Sequence, residues 1–130
     1  VEFDRFGNVN VSQLGNEYYG CGGYIDICHA AKTIIFVGSF TAKKLKVNNL
    51  KSGINIENEG KILKAVKNVK EITFSSKNNS LMRKKILIVT ERCTFSIENQ
   101  NVVLRDVYPG IDLQKDILDK MEFLPIIKSF

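Results

Sequence analysis

The sequence is poor in the residues that metal and disulfide chemistry need. Its 130 residues contain no tryptophan, one histidine and three cysteines. His29 stands next to Cys28, but Cys21 and Cys93 do not complete the short, recurrent spacings at which proteins bind zinc. We therefore expect no metal site. An odd number of scattered cysteines also favours a reducing, cytoplasmic compartment over a disulfide-bonded secreted protein.

Long apolar runs are missing as well. The strongest one, residues 33–40, is eight residues long, whereas a membrane-spanning helix needs about 20. The chain also does not open with a basic region followed by an apolar core, which is the pattern of a signal peptide. From the sequence we expect no membrane partner.

The charge is moderately basic, with 19 lysines and arginines against 14 acidic residues and a net charge of +5. Lys61, Lys64, Lys67 and Lys70 recur at every third position, and residues 83–85 form a basic triplet. Aromatic residues do not alternate with these cations, so a solvated face is favoured over a nucleic-acid surface. The charge also suits an anionic small molecule. A basic binding module remains an alternative.

Length and hydrophobic patterning predict one α/β domain over residues 1–130. The run at residues 33–40 is expected to be a strand buried on both faces of a sheet. Residues 75–80 are expected to form a polar loop. The remaining predictions are a hairpin turning at residues 4–8, a helix at 24–32, strand pairs within 50–75, strands at 86–90, 94–97 and 102–107, and a helix capped by Asp112.

A glycine-rich segment precedes the first predicted helix. Residues 20–23, here called the glycine loop, read G-C-G-G. Without Cβ atoms at three of its four positions, such a loop can present backbone N–H groups to an anion or a developing oxyanion. It matches neither the P-loop nor the dinucleotide-binding glycine pattern. A tight structural turn is the alternative explanation.

Several segments, in order along the chain, resemble the C-terminal portion of the family I CoA-transferases, closest to the acetate/acetoacetate branch, in which both halves are fused. The glycine loop is followed by Y-I-D-I, which extends the likeness. The other segments are D-R-F-G-N-V-N-V-S (4–12), I-I-F-V-G-S-F-T-A (34–42), E-I-T-F-S (71–75), I-V-T-E-R-C-T-F (88–95), Y-P-G-I-D-L-Q-K-D-I-L (108–118) and F-L-P-I-I (123–127).

The resemblance implies a mixed open sheet with flanking helices, forming the C-terminal part of the enzyme's β half. It implies transfer of CoA between short-chain acids, with acyl-CoA and a carboxylate as substrates and no permanently bound cofactor. It also implies assembly with the rest of the enzyme, either an N-terminal half or another subunit, and a homo-oligomer. We expect an unpaired sheet edge where that assembly is missing.

The residues that match the family's substrate-binding motifs fall into two groups. The glycine loop matches a Gly-x-Gly-Gly motif beside the reacting acyl group, followed by an aromatic residue. A second motif lies at a strand end. The resemblance thus implies the substrate- and CoA-binding residues Gly20, Gly22, Gly23, Tyr24, Gly38, Phe40 and Thr41.

The family's nucleophile, a glutamate in a Glu-x-Gly motif before the glycine loop, has no match here. The acids that precede the loop are Glu2, Asp4 and Glu17, and none fits the motif. Residues 57–60 read E-N-E-G but follow the loop and are expected to form a hairpin turn. Because the chain starts at Val1 without an initiator methionine, we interpret it as part of a longer protein whose catalytic glutamate lies upstream. A separate non-catalytic subunit is the alternative.

Overall fold

The structure is a computed structural model that describes residues 1–128, apart from the side chains of residues 80 and 81. Within that part the helical elements are α1 (Tyr24–Ala30), α2 (Ser76–Leu81), a π-helical turn (Leu113–Ile117) and a 3-10 turn (Leu118–Lys120). The strands are β1 (Glu2–Asp4), β2 (Val9–Asn10), β3 (Gln13–Leu14), β4 (Glu17–Tyr18), β5 (Thr33–Val37), β6 (Thr41–Ala42), β7 (Lys46–Leu50), β8 (Gly53–Asn58), β9 (Ile62–Leu63), β10 (Ala65–Val66), β11 (Lys85–Val89), β12 (Cys93–Glu98), β13 (Asn101–Val107) and β14 (Ile126–Ile127).

The largest sheet is mixed, with the strand order β14-β13-β12-β11-β5. β11 to β13 form an antiparallel meander, and a parallel strand flanks it on each side, β5 next to β11 and β14 next to β13. A three-stranded sheet has the order β10-β1-β2, and β3–β4, β6–β9 and β7–β8 form separate pairs. The predicted α/β class with a mixed sheet is therefore confirmed, although the helices are few and short.

Both sheets and α1 contribute to one cluster of buried apolar side chains. Phe95 lies at its centre, fully buried, with ring centroids 5.8 Å from Phe3 of β1 and 6.2 Å from Phe40. The predicted hairpin at residues 4–8 is confirmed, and Asp4 Oδ1 accepts hydrogen bonds from the N–H groups of Phe6 and Asn8 within its turn. This turn holds β1 against the larger sheet.

Three predicted elements are wrong. β5 is not buried on both faces, because Ile34 lies in the core whereas Ile35 and Val37 on the opposite face are exposed, and it is also the edge strand of its sheet in the described chain. Residues 76–81, predicted as part of a loop, form α2. The turn between β7 and β8 falls at residues 51–52, so residues 57–60 do not turn the hairpin. The helix after Asp112 is confirmed as a capped turn, with Asp112 Oδ1 accepting from the Lys115 N–H, but its hydrogen bonding is π-helical.

Two glycines allow β8 to pack against the turn that follows β13. Gly53 has φ +126°, and a Cβ there would lie 2.0 Å from the carbonyl oxygen of Pro109. Gly110 has φ +89°, and its Cβ would lie 2.4 Å from the carbonyl oxygen of Ile54. Backbone on both sides prevents relief by rotamer changes, so only glycine fits at either position.

Gly53→Ala should therefore lower the free energy of unfolding by about 2 kcal/mol or more, since it combines a backbone clash with a strained φ. Gly20→Ala is the matched control, because a Cβ at Gly20 meets no atom within 4 Å and the backbone is not left-handed. Urea unfolding followed by circular dichroism measures both. Equal stability of the two variants would contradict this account of the packing.

Candidate functional site

The glycine loop connects β4 to α1 at the surface. Gly22 has φ +52°, and the loop closes with a hydrogen bond from the Tyr24 N–H to the Cys21 carbonyl oxygen at 3.0 Å. Among the described residues, no group accepts a hydrogen bond from the N–H groups of residues 20–23. The loop thus presents unsatisfied backbone donors, as an anion-binding nest requires.

Contacts within this chain do not explain why the loop contains three glycines. A Cβ at Gly20 or Gly22 would meet no atom within 4 Å, and one at Gly23 would only touch the Ile27 side chain, at 3.7 Å. Gly23 has an ordinary φ of −80°. Only Gly22 is required by its own backbone conformation, so the free space around the other two is available to a ligand or another part of the protein.

Tyr24 fixes the end of the loop to the large sheet. Its ring stacks on Phe36 of β5, with centroids 6.0 Å apart and planes inclined by 27°. Its hydroxyl is buried without a hydrogen-bond partner among the described residues. Burial raises the pKa of Tyr24 well above its usual value of 10.0, so the hydroxyl keeps its proton at neutral pH and can donate it in a hydrogen bond.

The stacking places Tyr24 against Phe36, two residues before Gly38, the first residue of the second predicted group. Gly38 follows β5 directly, two residues beyond Phe36, and donates a hydrogen bond to the Val89 carbonyl oxygen at 3.1 Å. Lys64 Nζ lies 3.5 Å from the position that a Cβ on Gly38 would occupy and donates to the Ser39 carbonyl oxygen. Lys64 is therefore partly buried rather than part of a fully solvated face as predicted, and burial lowers its pKa.

Phe40 and Thr41, the other predicted binding residues, lie inside the molecule. Phe40 is 1% exposed and Thr41 0% exposed. The Phe40 N–H donates to Glu91 Oε2 at 2.8 Å, and Thr41 Oγ1 donates to Glu59 Oε1 at 2.5 Å. In this structure both residues therefore anchor the segment after Gly38, and neither reaches the surface beside the glycine loop.

Both residues are held by a buried charge cluster that the sequence did not reveal. This Arg92 cluster comprises Arg92, Glu59, Glu91, Phe40 and Thr41. The Arg92 guanidinium is fully buried and donates through Nε to Glu91 Oε1 at 2.7 Å and through both terminal nitrogens to Glu59, at 2.9 and 3.1 Å. It also lies 4.9 Å from the centroid of the Phe40 ring.

Two carboxylates face the one buried cation, and Arg92 holds Glu59 in its ionised form. Burial alone would raise the pKa of Glu59, but hydrogen bonds from Arg92 and Thr41 lower it to about 2. A sequence signal existed: the Glu91-Arg92 pair interrupts two apolar strands, where ionised residues need partners. The sequence predicts that Glu59 lies in a hairpin turn, so it gives no indication that Glu59 pairs with Arg92.

The sequence also raised expectations about metal sites, cysteines and membrane spans. No three side chains of His, Cys, Asp or Glu among the residues described are grouped so that they could hold a metal ion. The three cysteines are free thiols, and Cys28 and Cys93 are buried. Of the helices that the structure describes, none is both long and apolar enough to cross a membrane.

A groove of about 660 Å³ adjoins the glycine loop through Tyr19. Lys43 and Lys64 line it together with Glu2 and Glu17, so its wall carries charges of both signs. The groove therefore shows no preference for an anion over a cation.

The chain is similar over nearly its whole length to parts of larger enzymes. Acetate CoA-transferase YdiF from Escherichia coli (strain K12) is 41% identical over 127 residues, which are 98% of this chain and 24% of that protein. Caffeate CoA-transferase from Acetobacterium woodii is 42% identical over 135 residues, covering 99% of this chain and 25% of that protein. No protein-family model matches.

Solved structures agree with these relatives. The apoenzyme of acyl-CoA transferase YdiF from E. coli O157:H7 superposes with a TM-score of 0.95 at 41% identity, over 98% of this chain and 25% of that one. A thioester complex of the same protein with CoA superposes with a TM-score of 0.93 at 42% identity, with the same coverage. The chain thus spans about a quarter of the length of the relatives it matches.

The Arg92 cluster predicts a specific pH dependence of stability. The pKa of Glu59 falls from 4.5 to about 2 on folding, so its carboxylate stabilises the folded state fully above pH 4.5 and loses this effect as the pH drops through 2. Glu59→Gln should cost about 3 kcal/mol at neutral pH, since it removes the carboxylate to which both terminal nitrogens of the buried Arg92 donate. The difference from wild type should shrink as the pH falls from 4.5 towards 2.

Urea unfolding at several pH values measures this difference. Glu57→Gln is the matched control, because Glu57 lies two residues away and its 3.4 Å ion pair with Lys46 is solvent-exposed, so its loss should cost below ~1 kcal/mol. A difference between wild type and Glu59→Gln that stays constant down to pH 2 would contradict the assigned role of Glu59.

Proposed function

We propose that this chain, a segment of a family I CoA-transferase, supplies part of the site at which the intact enzyme transfers CoA between short-chain carboxylic acids. The relatives it matches carry out CoA transfer as proteins about four times as long, so the activity belongs to the whole polypeptide. The observation that carries the assignment to this segment is the row of unsatisfied N–H donors in the glycine loop.

In the proposed reaction a glutamate outside this chain attacks the thioester carbonyl of an acyl-CoA and expels CoA thiolate, leaving a mixed anhydride. The thiolate then attacks the glutamyl carbonyl, which forms a glutamyl-CoA thioester and releases the first carboxylate. A second carboxylate reverses these two steps and leaves as the new acyl-CoA. Covalent catalysis divides one difficult exchange into easier ones.

Each addition in this sequence places negative charge on a carbonyl oxygen. The N–H groups of residues 20–23 would donate to that oxygen, since they have no acceptor within the described chain. Gly22 provides a left-handed turn, the backbone conformation found in anion-binding nests, and the absence of a Cβ at Gly20 and Gly23 leaves room for the thioester. The loop therefore acts through its backbone, and Cys21 has no chemical role.

The other predicted residues support the loop in different ways. Tyr24 contributes to the substrate site by holding the loop in place, through stacking on Phe36. Gly38 lies exposed at the end of β5 on the same side. Phe40 and Thr41, being buried, would shape the CoA-binding surface by holding this strand end through the Arg92 cluster.

The remaining features of the proposal follow from the family. Acetate and acetoacetate are the proposed acids, CoA is a substrate rather than a resident cofactor, and the enzyme is proposed to be a cytoplasmic homo-oligomer. Residues 1–130 are proposed to form a single domain of it. The free thiols of Cys28 and Cys93 suit a reducing compartment.

Gly23→Val tests the role of the loop. The assay uses a chimera in which this chain replaces the 127 matched residues of E. coli YdiF. Turnover should fall by about 10²-fold or more, the usual cost of losing an oxyanion-donor contact, because the valine side chain would fill the space through which the thioester reaches the loop. The urea midpoint should change far less, because a Cβ at Gly23 only touches Ile27. Cys21→Ser should be nearly silent. Full activity of the Gly23→Val variant, or loss of activity in the Cys21→Ser variant, would contradict the proposal that the glycine loop binds the oxyanion through its backbone.

The isolated chain should have no CoA-transferase activity, because it lacks the nucleophile that the family uses. Incubation with acetoacetyl-CoA, followed by mass spectrometry of the acid-quenched protein, should reveal no CoA thioester adduct on any of its acidic residues. The chimera, treated identically, should acquire an adduct on a glutamate contributed by YdiF. A stable adduct within residues 1–130 accompanied by turnover would show that the nucleophile lies in this chain.

A further inference from the structure

Lys64 is a half-buried cation whose hydrogen-bond partners carry no charge. Its Nζ donates to the Ser39 carbonyl oxygen at 2.5 Å and to Ser39 Oγ at 3.4 Å. An ammonium group has three N–H donors, so one of them has no acceptor among the described residues. A carbonyl and a hydroxyl satisfy hydrogen bonds but do not neutralise a cation, and the positive charge of Lys64 therefore remains uncompensated.

Glu91 attracts the Lys64 ammonium but is engaged elsewhere. Its Oε1 accepts from Arg92 Nε at 2.7 Å, and its Oε2 accepts from the Phe40 N–H at 2.8 Å. The ion pairs of the described residues do not include one between Glu91 and Lys64. Burial lowers the pKa of Lys64, and the attraction of Glu91 does not reverse that shift. Buried charges are normally paired, so an anion from outside the described chain suits this position.

The backbone holds Lys64 in a defined place. Lys64 lies between β9 and β10, and its carbonyl oxygen accepts a hydrogen bond from the Phe3 N–H at 2.9 Å. The next residue, Ala65, pairs with Phe3 in the three-stranded sheet. From this fixed backbone the side chain reaches the end of β5, where Nζ lies 3.5 Å from the position that a Cβ on Gly38 would occupy. The ammonium is thus positioned beside a predicted substrate-binding residue.

A small cleft opens at this strand end. It has a volume of about 80 Å³, and Lys64 lines it together with Gly38 and the apolar side chains of Phe36, Val37 and Ile88. None of the described residues that line the cleft is acidic. A water molecule occupies about 30 Å³ in the liquid, so the cleft has room for two or three groups of that size. This space suits a carboxylate with a short alkyl chain and is too small for the nucleotide of CoA.

Phe36 connects the cleft to the glycine loop. Its ring lines the cleft and also stacks on Tyr24, the residue directly after the loop, with centroids 6.0 Å apart. An anion bound to Lys64 would therefore lie one aromatic pair away from the residue that holds the loop in place.

We propose that Lys64 binds the carboxylate of the acid substrate in this cleft, with the short alkyl chain of the acid against the apolar wall. The proposal rests on the proposed function, because it takes the ligand to be the acid that receives CoA. The free N–H of the ammonium donates to a carboxylate oxygen, while the two hydrogen bonds to Ser39 direct the ammonium into the cleft. Such charge-assisted hydrogen bonds are about twice as strong as neutral ones. The small volume of the cleft restricts the acid to a short chain.

Lys64→Met in the YdiF chimera tests the role of the charge, because methionine is similar in length but neutral. The KM for acetate should rise at least ~10-fold, the usual effect of losing a hydrogen bond to a charged group, whereas the KM for acetyl-CoA and the kcat should stay unchanged. Lys64→Arg keeps the charge and should raise the KM for acetate much less. Lys67→Met is the matched control, since Lys67 belongs to the same lysine repeat and is exposed, and it should leave every constant unchanged.

Three results in an active chimera would overturn the role of Lys64 and leave the proposed function standing. The first is a KM for acetate that Lys64→Met does not change. The second is a rise in the KM for acetyl-CoA alone, which would assign Lys64 to a phosphate of CoA. The third is a fall in kcat and in the urea midpoint with both KM values unchanged, which would show that Lys64 only supports Ser39.

A chimera without activity would contradict the proposed function, and a second measurement then decides the role of Lys64. Saturating acetate should slow the acetylation of Lys64 by N-hydroxysuccinimidyl acetate, measured by peptide mass spectrometry, and should leave Lys67 unaffected. Acetamide, which is neutral, should give no protection. Equal modification of Lys64 with and without acetate would overturn the proposal.

Discussion

The buried guanidinium of Arg92 is the interaction on which the arrangement of this protein depends. A cation without solvent must be compensated by acceptors in the right geometry, and here they come from distant parts of the chain. Glu59 follows β8, and Glu91 directly precedes Arg92. The third acceptor is the carbonyl oxygen of Asp116, in the π-helical turn after β13, to which Arg92 donates at 2.8 Å. Strand ends that are far apart in sequence are thereby fixed to one point.

This arrangement explains how the interior supports the surface. Phe40 and Thr41 belong to the Arg92 cluster, and the backbone between them and β5 carries Gly38 and Ser39. Because both ends of that short segment are fixed, Gly38 keeps a defined position at the end of β5. The glycine loop is oriented separately, through the stacking of Tyr24 on Phe36. The candidate site thus combines a backbone feature at the surface with supports inside the molecule.

Local patterns in the sequence were sufficient where the structure depends on neighbouring residues. The meander of β11 to β13, the turn at residues 4–8 and the cap formed by Asp112 follow from alternation and turn chemistry, and the structure confirms them. The role of Glu59 could not be predicted in this way, because its partner Arg92 is 33 residues away. β5 was expected to be covered on both sides because its composition reflects surroundings that this chain does not itself supply.

The parallel pairing of β5 with β11 has a consequence for how the chain acquires its fold. Their paired residues, such as Ile34 and Ile86, are separated by five intervening strands, β6 to β10, and by α2. Such non-local contacts form slowly, since a long loop must close before they contribute any stability. On the ribosome, β5 is complete long before β11 has been synthesised. During that interval the edge of β5 that later pairs with β11 is unpaired, which leaves β5 prone to aggregation while the protein is being made.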